Sequence, residues 1–239
     1  MSRFGSQRPA SGSTRSSWLA SRFVLPAVSL AATLSVSACN NVRYNEAFYP
    51  EGNVGTVVLR IDEGVVDLVP GHRLRVERAV RAAEGTLTLS HHVDDGVLVI
   101  EARCRTFIQC PVDTEVAVPE GVDVQVELGR GEVWATGIAT LGIELRDGTA
   151  DVETTGTLNV QVGSGSVRAQ APRDANLKIA VGDGDIDVQV APGPWLVDAT
   201  AARLQVTGVT PDDHATGRLE LVAPSGSVTV TGRDRIASR

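Results

Sequence analysis

Residues 160–170, VQVGSGSVRAQ, place two glycines between two runs of alternating apolar and polar residues. A glycine-rich phosphate loop would be followed by a helix, because the amides at the helix N-terminus bind the anion. Here the residues after Gly165 alternate and then reach Pro172. The stretch therefore predicts a tight corner between two strands, at which glycine tolerates a positive φ angle.

The same corner recurs along the chain at spacings of 17, 17, 19, 18 and 24 residues. The aligned corner positions are Gly131, Gly148, Gly165, Gly184, Ala202 and Gly226, and Gly64 fits the same template. The residues seven, five and three before each corner, and two and four after it, are apolar in every copy. Alternation on both sides of each corner predicts two short strands per coil, with inward side chains stacked on the next coil. The sequence thus predicts an all-β fold, a single β-solenoid with 17–19-residue coils over residues 57–232.

Residues 72–118 depart from this template and predict additional strands in an N-terminal strand-rich section. The candidate strands are RLRVERAV (73–80), TLTLSHHV (86–93), VLVIEARC (97–104) and TEVAVPEG (114–121). Residues 75–85 are also compatible with a helix. We favour a strand there because the preceding residues alternate and Gly85 ends the segment early.

The N-terminus has the pattern of an export signal. Arg22 precedes a 14-residue apolar run over 23–36, which is too short to span a bilayer as a helix. The run ends in VSAC (36–39), which resembles a bacterial lipobox. That resemblance implies a lipoprotein signal peptide over residues 1–38 and a lipid attached to Cys39, and an ordinary secretory signal is the alternative. Asn40 is not the aspartate that retains Gram-negative lipoproteins in the inner membrane, so in a Gram-negative organism we expect the outer membrane, at its periplasmic face or at the cell surface.

Residues 39–56 are polar, contain Pro and Gly, and show little periodicity, so they predict a tether. Both tyrosines of the protein and Phe48 lie in this segment, and folding back onto the first strands is the alternative. Residues 233–239 are expected to form a C-terminal tail.

Composition excludes one class of partner. The chain has 22 basic and 29 acidic residues and a formal net charge of −7. An acidic protein repels the phosphate backbone, so no nucleic-acid partner is expected.

Three cysteines leave an even pair once Cys39 is assigned to the lipid. We therefore predict a disulfide between Cys104 and Cys110 in the exported protein. The loop that it closes is short, so its expected stabilisation is roughly 2 kcal/mol. Five residues separate the two cysteines, whereas a redox CxxC motif has two.

Several segments together resemble a known family. VAVPEG (116–121), the tandem glycine corners, GVVDLV (64–69) and the lipobox resemble bacterial envelope lipoproteins of the putative-adhesin family, which have a β-helical domain of unknown function. The resemblance covers roughly residues 55–232. It implies a right-handed β-solenoid in the cell envelope with a role in adhesion or envelope-stress sensing, and it supplies no catalytic residue.

Outward positions after the corners contain the candidate site residues. Asp151 and Asp187 flank Arg168, which predicts charge pairing along neighbouring strands, and Asp185 is expected beside Arg203. The alternative is a carbohydrate-active β-helix enzyme that uses these outward aspartates as acid and base.

Three further features have alternative interpretations. GDGDID (182–187) is similar to calcium-binding repeats, but those recur every nine residues. His91 and His92 are adjacent in a predicted strand, so they point to opposite faces and are expected to be solvated. Trp134 is the one apolar residue in its outer column, where it either contacts a sugar or protein or lies under a loop, which we favour.

The sequence thus predicts no catalytic residue, metal ligand or cofactor. It predicts a non-catalytic, lipid-anchored envelope protein with an adhesin-like or scaffold role, whose partners are the membrane and an envelope glycan or envelope protein. An accessory role in envelope-stress sensing is a further alternative, and no oligomeric state is indicated.

Overall fold

A computed structural model describes residues 41–83, 85–105 and 109–233 of the 239-residue chain. Within these ranges all regular structure is β, with no helix, and the predicted all-β class is confirmed. The strands are β1 (Asn41–Phe48), β2 (Thr56–Pro70), β3 (Arg75–Ala83), β4 (Leu87–Asp94), β5 (Val97–Cys104), β6 (Val112–Val118), β7 (Asp123–Ala171), β8 (Asn176–Val190), β9 (Gly193–Thr207), β10 (Val209–Pro211) and β11 (Arg218–Gly232). They form one mixed sheet.

The central part of the sheet is parallel and in register with the glycine corners. β2 pairs with the start of β7, and the end of β7 pairs with β8. Gly64 lies opposite Gly131, and Gly165 lies opposite Gly184. Because each corner faces another corner, residues of equal position in the template also face one another, as Val160 and Ile179 do.

Glycine is required at these corners for two physical reasons. The φ angles of Gly148, Gly165 and Gly184 are 144°, 141° and 139°, a backbone conformation that residues with a side chain rarely adopt. A Cβ atom at Gly165 would also overlap the carbonyl oxygen of Gly148, and one at Gly184 would overlap that of Gly165. The corners therefore stack closely, and the positive φ angle that the sequence predicts is found at five of the seven aligned positions, namely Gly64, Gly131, Gly148, Gly165 and Gly184.

The predicted inward positions make up most of the hydrophobic core. Around Gly165, for example, Leu158, Val160 and Val167 are at most 1% exposed. The inward positions that are not fully buried all belong to β9, around Ala202, and they are Val197, Ala199, Leu204 and Val206. Because β9 lies near one end of the sheet, these side chains have a neighbouring strand, β11, on one side only.

The order of the last strands differs from the order along the chain. β11 lies between β8 and β9, so the sheet continues β8–β11–β9–β10. The prediction that Arg203 lies beside Asp185 is therefore wrong. Ser227 of β11 occupies that place. The long spacing before Gly226 explains the change, because residues 208–217 return the chain past β9 before β11 begins.

The N-terminal section forms the four strands that the sequence predicts. β5 pairs in parallel with β2 before its corner, and β6 pairs with β2 after its corner. The Cys104–Cys110 disulfide joins the end of β5 to the residues before β6. β3 and β4 run antiparallel to β6 and β5, so residues 75–83 are strand and the helical alternative is not observed.

Eight of the eighteen residues of the expected tether form a strand. β1 occupies residues 41–48 and pairs antiparallel with β3, which corresponds to the alternative in which this segment folds back. The ring of Phe48 stacks on His91 with centroids 4.0 Å apart, and Arg78, 2% exposed, lies over the same ring. Arg78 also donates to Glu46 Oε2 at 2.8 Å. The stacking and the ion pair hold the segment, and neither could be inferred from its irregular composition.

Candidate ligand-binding groove

A groove of about 490 Å³ runs across the outer face of β7 and β8, on the side that follows the glycine corners. Its floor has two rows of outward side chains, because alternate residues of each strand point outward. The first row lies three residues after each corner and contains Trp134, Asp151, Arg168 and Asp187. The second lies five residues after and contains Thr136, Glu153, Gln170 and Gln189. We call this feature the Trp134 groove.

The acidic residues of the first row share one cation. Arg168 Nη1 lies 3.6 Å from Asp151 Oδ2, and Arg168 Nε lies 3.7 Å from Asp187 Oδ2. The predicted charge pairing is confirmed by these distances. All three side chains are between 32% and 57% exposed, so each pair contributes at most about 1 kcal/mol to folding. Their main effect is to hold three polar groups in a fixed order on the groove floor.

Trp134 lies at the end of the first row and is 46% exposed. Its Nε1 donates to Glu132 Oε2 at 3.2 Å, which fixes one edge of the indole. We expected a loop to cover Trp134. Within the described part of the chain its indole is instead exposed. Asp67 is the register partner of Trp134 on β2, and burial raises the pKa of the Asp67 carboxyl.

Beside the second row lies Arg233, a residue that the sequence analysis assigned to the C-terminal tail. Arg233 Nη1 donates to Gln189 Oε1 at 3.1 Å, and the Arg233 amide donates to the Val190 carbonyl. Gln170 is the register partner of Gln189. No local signal marks Arg233 as a groove residue, because its position depends on the pairing of β11 with β8.

Two aspartates of the GDGDID segment, Asp185 and Asp187, contact other residues of the protein. Asp185 Oδ1 accepts hydrogen bonds from the Ser227 hydroxyl at 2.6 Å and the Ser227 amide at 2.8 Å. These hydrogen bonds lower the pKa of Asp185 below its ordinary value. Asp187 contacts Arg168. Across residues 41–83, 85–105 and 109–233, no three His, Cys, Asp or Glu side chains come together as a metal site.

The other predicted site residues are distributed as follows. Cys104 and Cys110 form the disulfide on the N-terminal section, away from the groove. We expected His91 and His92 to be solvated. In the structure His91 stacks on Phe48, a contact that the sequence did not predict. Cys39 and the predicted signal peptide over 1–38 lie outside the described residues. The part of the chain that the structure describes has no helix of the length and hydropathy needed to cross a membrane.

Comparisons with known proteins identify similar solved structures. A putative cell adhesion protein from Clostridium sporogenes aligns with a TM-score of 0.47 and 13% identity, over 80% of this chain and all of that one. A putative adhesin from Parabacteroides merdae aligns with a TM-score of 0.32 and 11% identity, over 80% and 97% of the two chains. A putative lipid binding protein from Parabacteroides distasonis aligns with a TM-score of 0.24 and 8% identity, over 78% and 96%. No protein-family model and no curated protein sequence matches the chain.

Proposed function

We propose that this protein is a non-catalytic, lipid-anchored β-solenoid of the bacterial outer membrane that binds an envelope glycan through the Trp134 groove. The parallel register of β2, β7, β8 and β11 and the stacked glycine corners support a right-handed solenoid with 17–19-residue coils. The VSAC sequence supports lipid attachment at Cys39. The observation that carries the proposed binding role is the exposed indole of Trp134 beside a paired polar row.

An exposed tryptophan next to fixed polar groups suits a sugar ring. The C–H face of a pyranose packs on the flat apolar indole, while its hydroxyl groups need hydrogen-bond partners at the edge of the ring. Asp151, Arg168 and Gln170 supply acceptors and donors beside Trp134. Neighbouring strands are about 4.8 Å apart, so the rows offer polar groups to several consecutive sugars of a chain.

Charge selects the class of glycan. Asp151, Glu153 and Asp187 bring three negative charges to the groove and Arg168 and Arg233 bring two positive ones, so its lining carries a net charge of −1, and the whole chain carries −7. A polyanionic glycan would be repelled by this surface. A neutral or amino-sugar-containing polymer fits the groove better.

The arrangement does not favour the enzyme alternative. Hydrolysis of a glycosidic bond requires one carboxylic acid and one carboxylate that face the bond from opposite sides. Asp151 and Asp187 instead contact the same guanidinium. Neither is the unpaired acid that the mechanism requires, so we assign the pair to shaping the groove.

Tryptophan fluorescence tests the proposal directly. After removal of the predicted signal peptide, the remaining tryptophans are Trp134, which is 46% exposed, and Trp195, which is fully buried. A bound glycan should therefore protect Trp134 from acrylamide quenching and leave Trp195 unaffected. The ligands are purified peptidoglycan and capsular or outer-membrane polysaccharide, added in detergent to the protein from which the signal peptide has been removed.

The variants separate groove binding from other contacts. Trp134→Ala should weaken binding at least tenfold, because stacking on the indole is lost, while Gln161→Ala, on the outer face before the corner, should bind like the wild type. Equal binding by both variants would overturn the assignment of the groove. Glycan cleavage that is lost in Asp151→Asn would instead restore the enzyme interpretation, and capture of a protein in place of every glycan would make the groove a protein-binding site.

A further inference from the structure

The two ends of the sheet differ in the side chains that they leave uncovered. At one end lie the edge strands β1 and β4, which pair within the described residues only with β3 and β5. Tyr44 and Val93 on these strands are 44% and 40% exposed, and Tyr49, directly after β1, is 58% exposed. We call β1, β4 and Tyr49 the first end. At the opposite end, β9 has an open edge beyond its short pairing with β10, and its exposed large hydrophobic side chain is the aliphatic Leu204.

The first end is also close in sequence to the predicted lipid. β1 begins at Asn41, whose register partner is Ala83 of β3, and Cys39 precedes Asn41 by two residues. An extended chain spans at most about 3.6 Å per residue, so the Cα atoms of Cys39 and Asn41 are within about 7 Å of each other. A lipid on Cys39 would therefore hold β1 at the membrane surface without a linker between them.

Contacts within the protein fix β1 to the strands beside it. Arg78 of β3 is 2% exposed and donates to Glu46 Oε2 of β1 at 2.8 Å. The ring of Phe48 on β1 stacks on His91 of β4, so the two edge strands are joined across the end of the sheet. Because the first end is held together in this way, the position of β1 at the membrane would set the orientation of the strands that follow it.

The charge and the aromatic residues of this end suit the headgroup region of a bilayer. The strands β1, β3 and β4 contain four arginines and three acidic residues, a net charge of +1, in a chain that carries −7. Anionic headgroups are therefore not repelled here as they would be by the rest of the protein. Tyrosine is enriched at the membrane–water interface, and an exposed arginine such as Arg43 can reach lipid phosphates while its aliphatic part lies along apolar groups.

We propose that the first end is a membrane-docking surface, which rests on the headgroups of the bilayer that holds the Cys39 lipid. This inference depends on the lipid attachment in the proposed function and adds an orientation to it. The strands then lie along the membrane and the sheet extends away from it. At about 4.8 Å per strand, Trp134 on β7, the fourth strand after β1, lies roughly 20 Å from the membrane. The Trp134 groove then runs outward from the membrane, and β9 is its most distant long strand.

Fluorescence quenching by a nitroxide-headgroup lipid tests this orientation. The mature protein is reconstituted in vesicles of phosphatidylethanolamine and phosphatidylglycerol, with an environment-sensitive dye on Val93→Cys or on Leu204→Cys, the matched control at the opposite end. A lipid-modified Cys39 has no free thiol, and Cys104 and Cys110 are joined, so the dye reacts only with the introduced cysteine. The nitroxide lipid should quench the dye at residue 93 at least threefold more strongly than the dye at residue 204.

The outcomes separate docking from anchoring. Protein that floats with the vesicles but shows equal quenching at residues 93 and 204 would overturn the docking surface and leave the lipid anchor in place. Wild-type protein that reacts with the dye at Cys39 and does not float would overturn the anchor, and the docking proposal with it. A dye at residue 93 that is shielded from aqueous iodide but not quenched by the nitroxide lipid would mean that a second copy covers this end, which also overturns the proposal.

Substitutions at the first end provide a second readout on the same labelled protein. Arg43→Glu combined with Tyr44→Ser should at least halve the quenching at residue 93 while the protein still floats with the vesicles, because the lipid anchor is unchanged. Both side chains are exposed, so the far-UV circular dichroism spectrum should be retained. Arg146→Glu, an exposed arginine on β7, is the matched control and should be quenched like the wild type. Unchanged quenching in the double variant, or an equal loss in Arg146→Glu, would refute docking through this end.

Discussion

Burial of a charge at Val160 is the sharpest test of the predicted strand register. Val160 is fully buried and lies opposite Ile179 on the neighbouring strand, so a carboxylate there would have no partner. Val160→Asp removes the burial of a valine, about 2 kcal/mol. It also buries a carboxyl group whose pKa would rise by about 3 units, which costs about 4 kcal/mol at pH 7. The expected loss of about 6 kcal/mol is comparable with the whole stability of a typical domain.

The controls are the neighbouring residues, which the register places outside. Asn159 and Gln161 are exposed, and Asn159 lies opposite Lys178. Asn159→Asp and Gln161→Asp should each change the free energy of unfolding by less than about 0.5 kcal/mol. Val160→Thr, which buries a hydroxyl group of nearly the same shape, should cost about 1–3 kcal/mol and keeps the comparison measurable if Val160→Asp does not fold.

Denaturant unfolding at several pH values supplies the assay. A raised pKa in the folded state means that the charge penalty of Val160→Asp is present above the unfolded pKa of about 3.9 and shrinks as the pH falls toward it. The stability difference from the wild type should therefore narrow between pH 7 and pH 4. Similar unfolding free energies for the aspartates at 159, 160 and 161 would refute the register, and a pH-independent difference would refute the buried-charge explanation.

Three further predictions concern single groups. Reduction of Cys104–Cys110 should lower the unfolding free energy by roughly 2 kcal/mol and leave a folded protein, so loss of the circular dichroism signal on reduction would contradict the minor role of this loop. Ser227→Ala should raise the pKa of Asp185 toward its ordinary value in an NMR titration, because the hydrogen bond from the Ser227 side chain is the main cause of the lowered pKa. An unchanged pKa would exclude that cause. Mass spectrometry of membrane-extracted protein should find an N-terminal, lipid-modified Cys39, and an unmodified cysteine or cleavage elsewhere would contradict the lipobox assignment.

Much of the groove floor could be predicted from the sequence. The period-2 alternation around Gly148 and Gly165 assigns each side chain to a face, and equal positions in successive sequence repeats become neighbours on paired strands. The contact of Arg168 with Asp151 and Asp187 follows from this local rule. The exposure of Trp134 does not, because it depends on whether a distant segment covers the indole.

Long-range topology limited the remaining predictions. The neighbour of Asp185 is Ser227, since β11 inserts between β8 and β9. The same insertion places Arg233 beside Gln189. Parallel pairing of strands that are distant in sequence depends on the path of the connection, and a repeat template contains no information about that path. The 24-residue spacing before Gly226 was the one local sign of a different connection.

By itself, the amino-acid sequence determined the all-β class, the inward and outward faces, and the positions at which only glycine is tolerated. Each of these depends on interactions over a few residues, namely the alternation of side chains along a strand and the steric cost of a Cβ atom at a tight corner. The tertiary structure alone decided the strand order at the C-terminal end, the strand at residues 41–48 and the open edge of β9. These depend on which surfaces remain uncovered once the strands have paired, and that is a property of the whole chain.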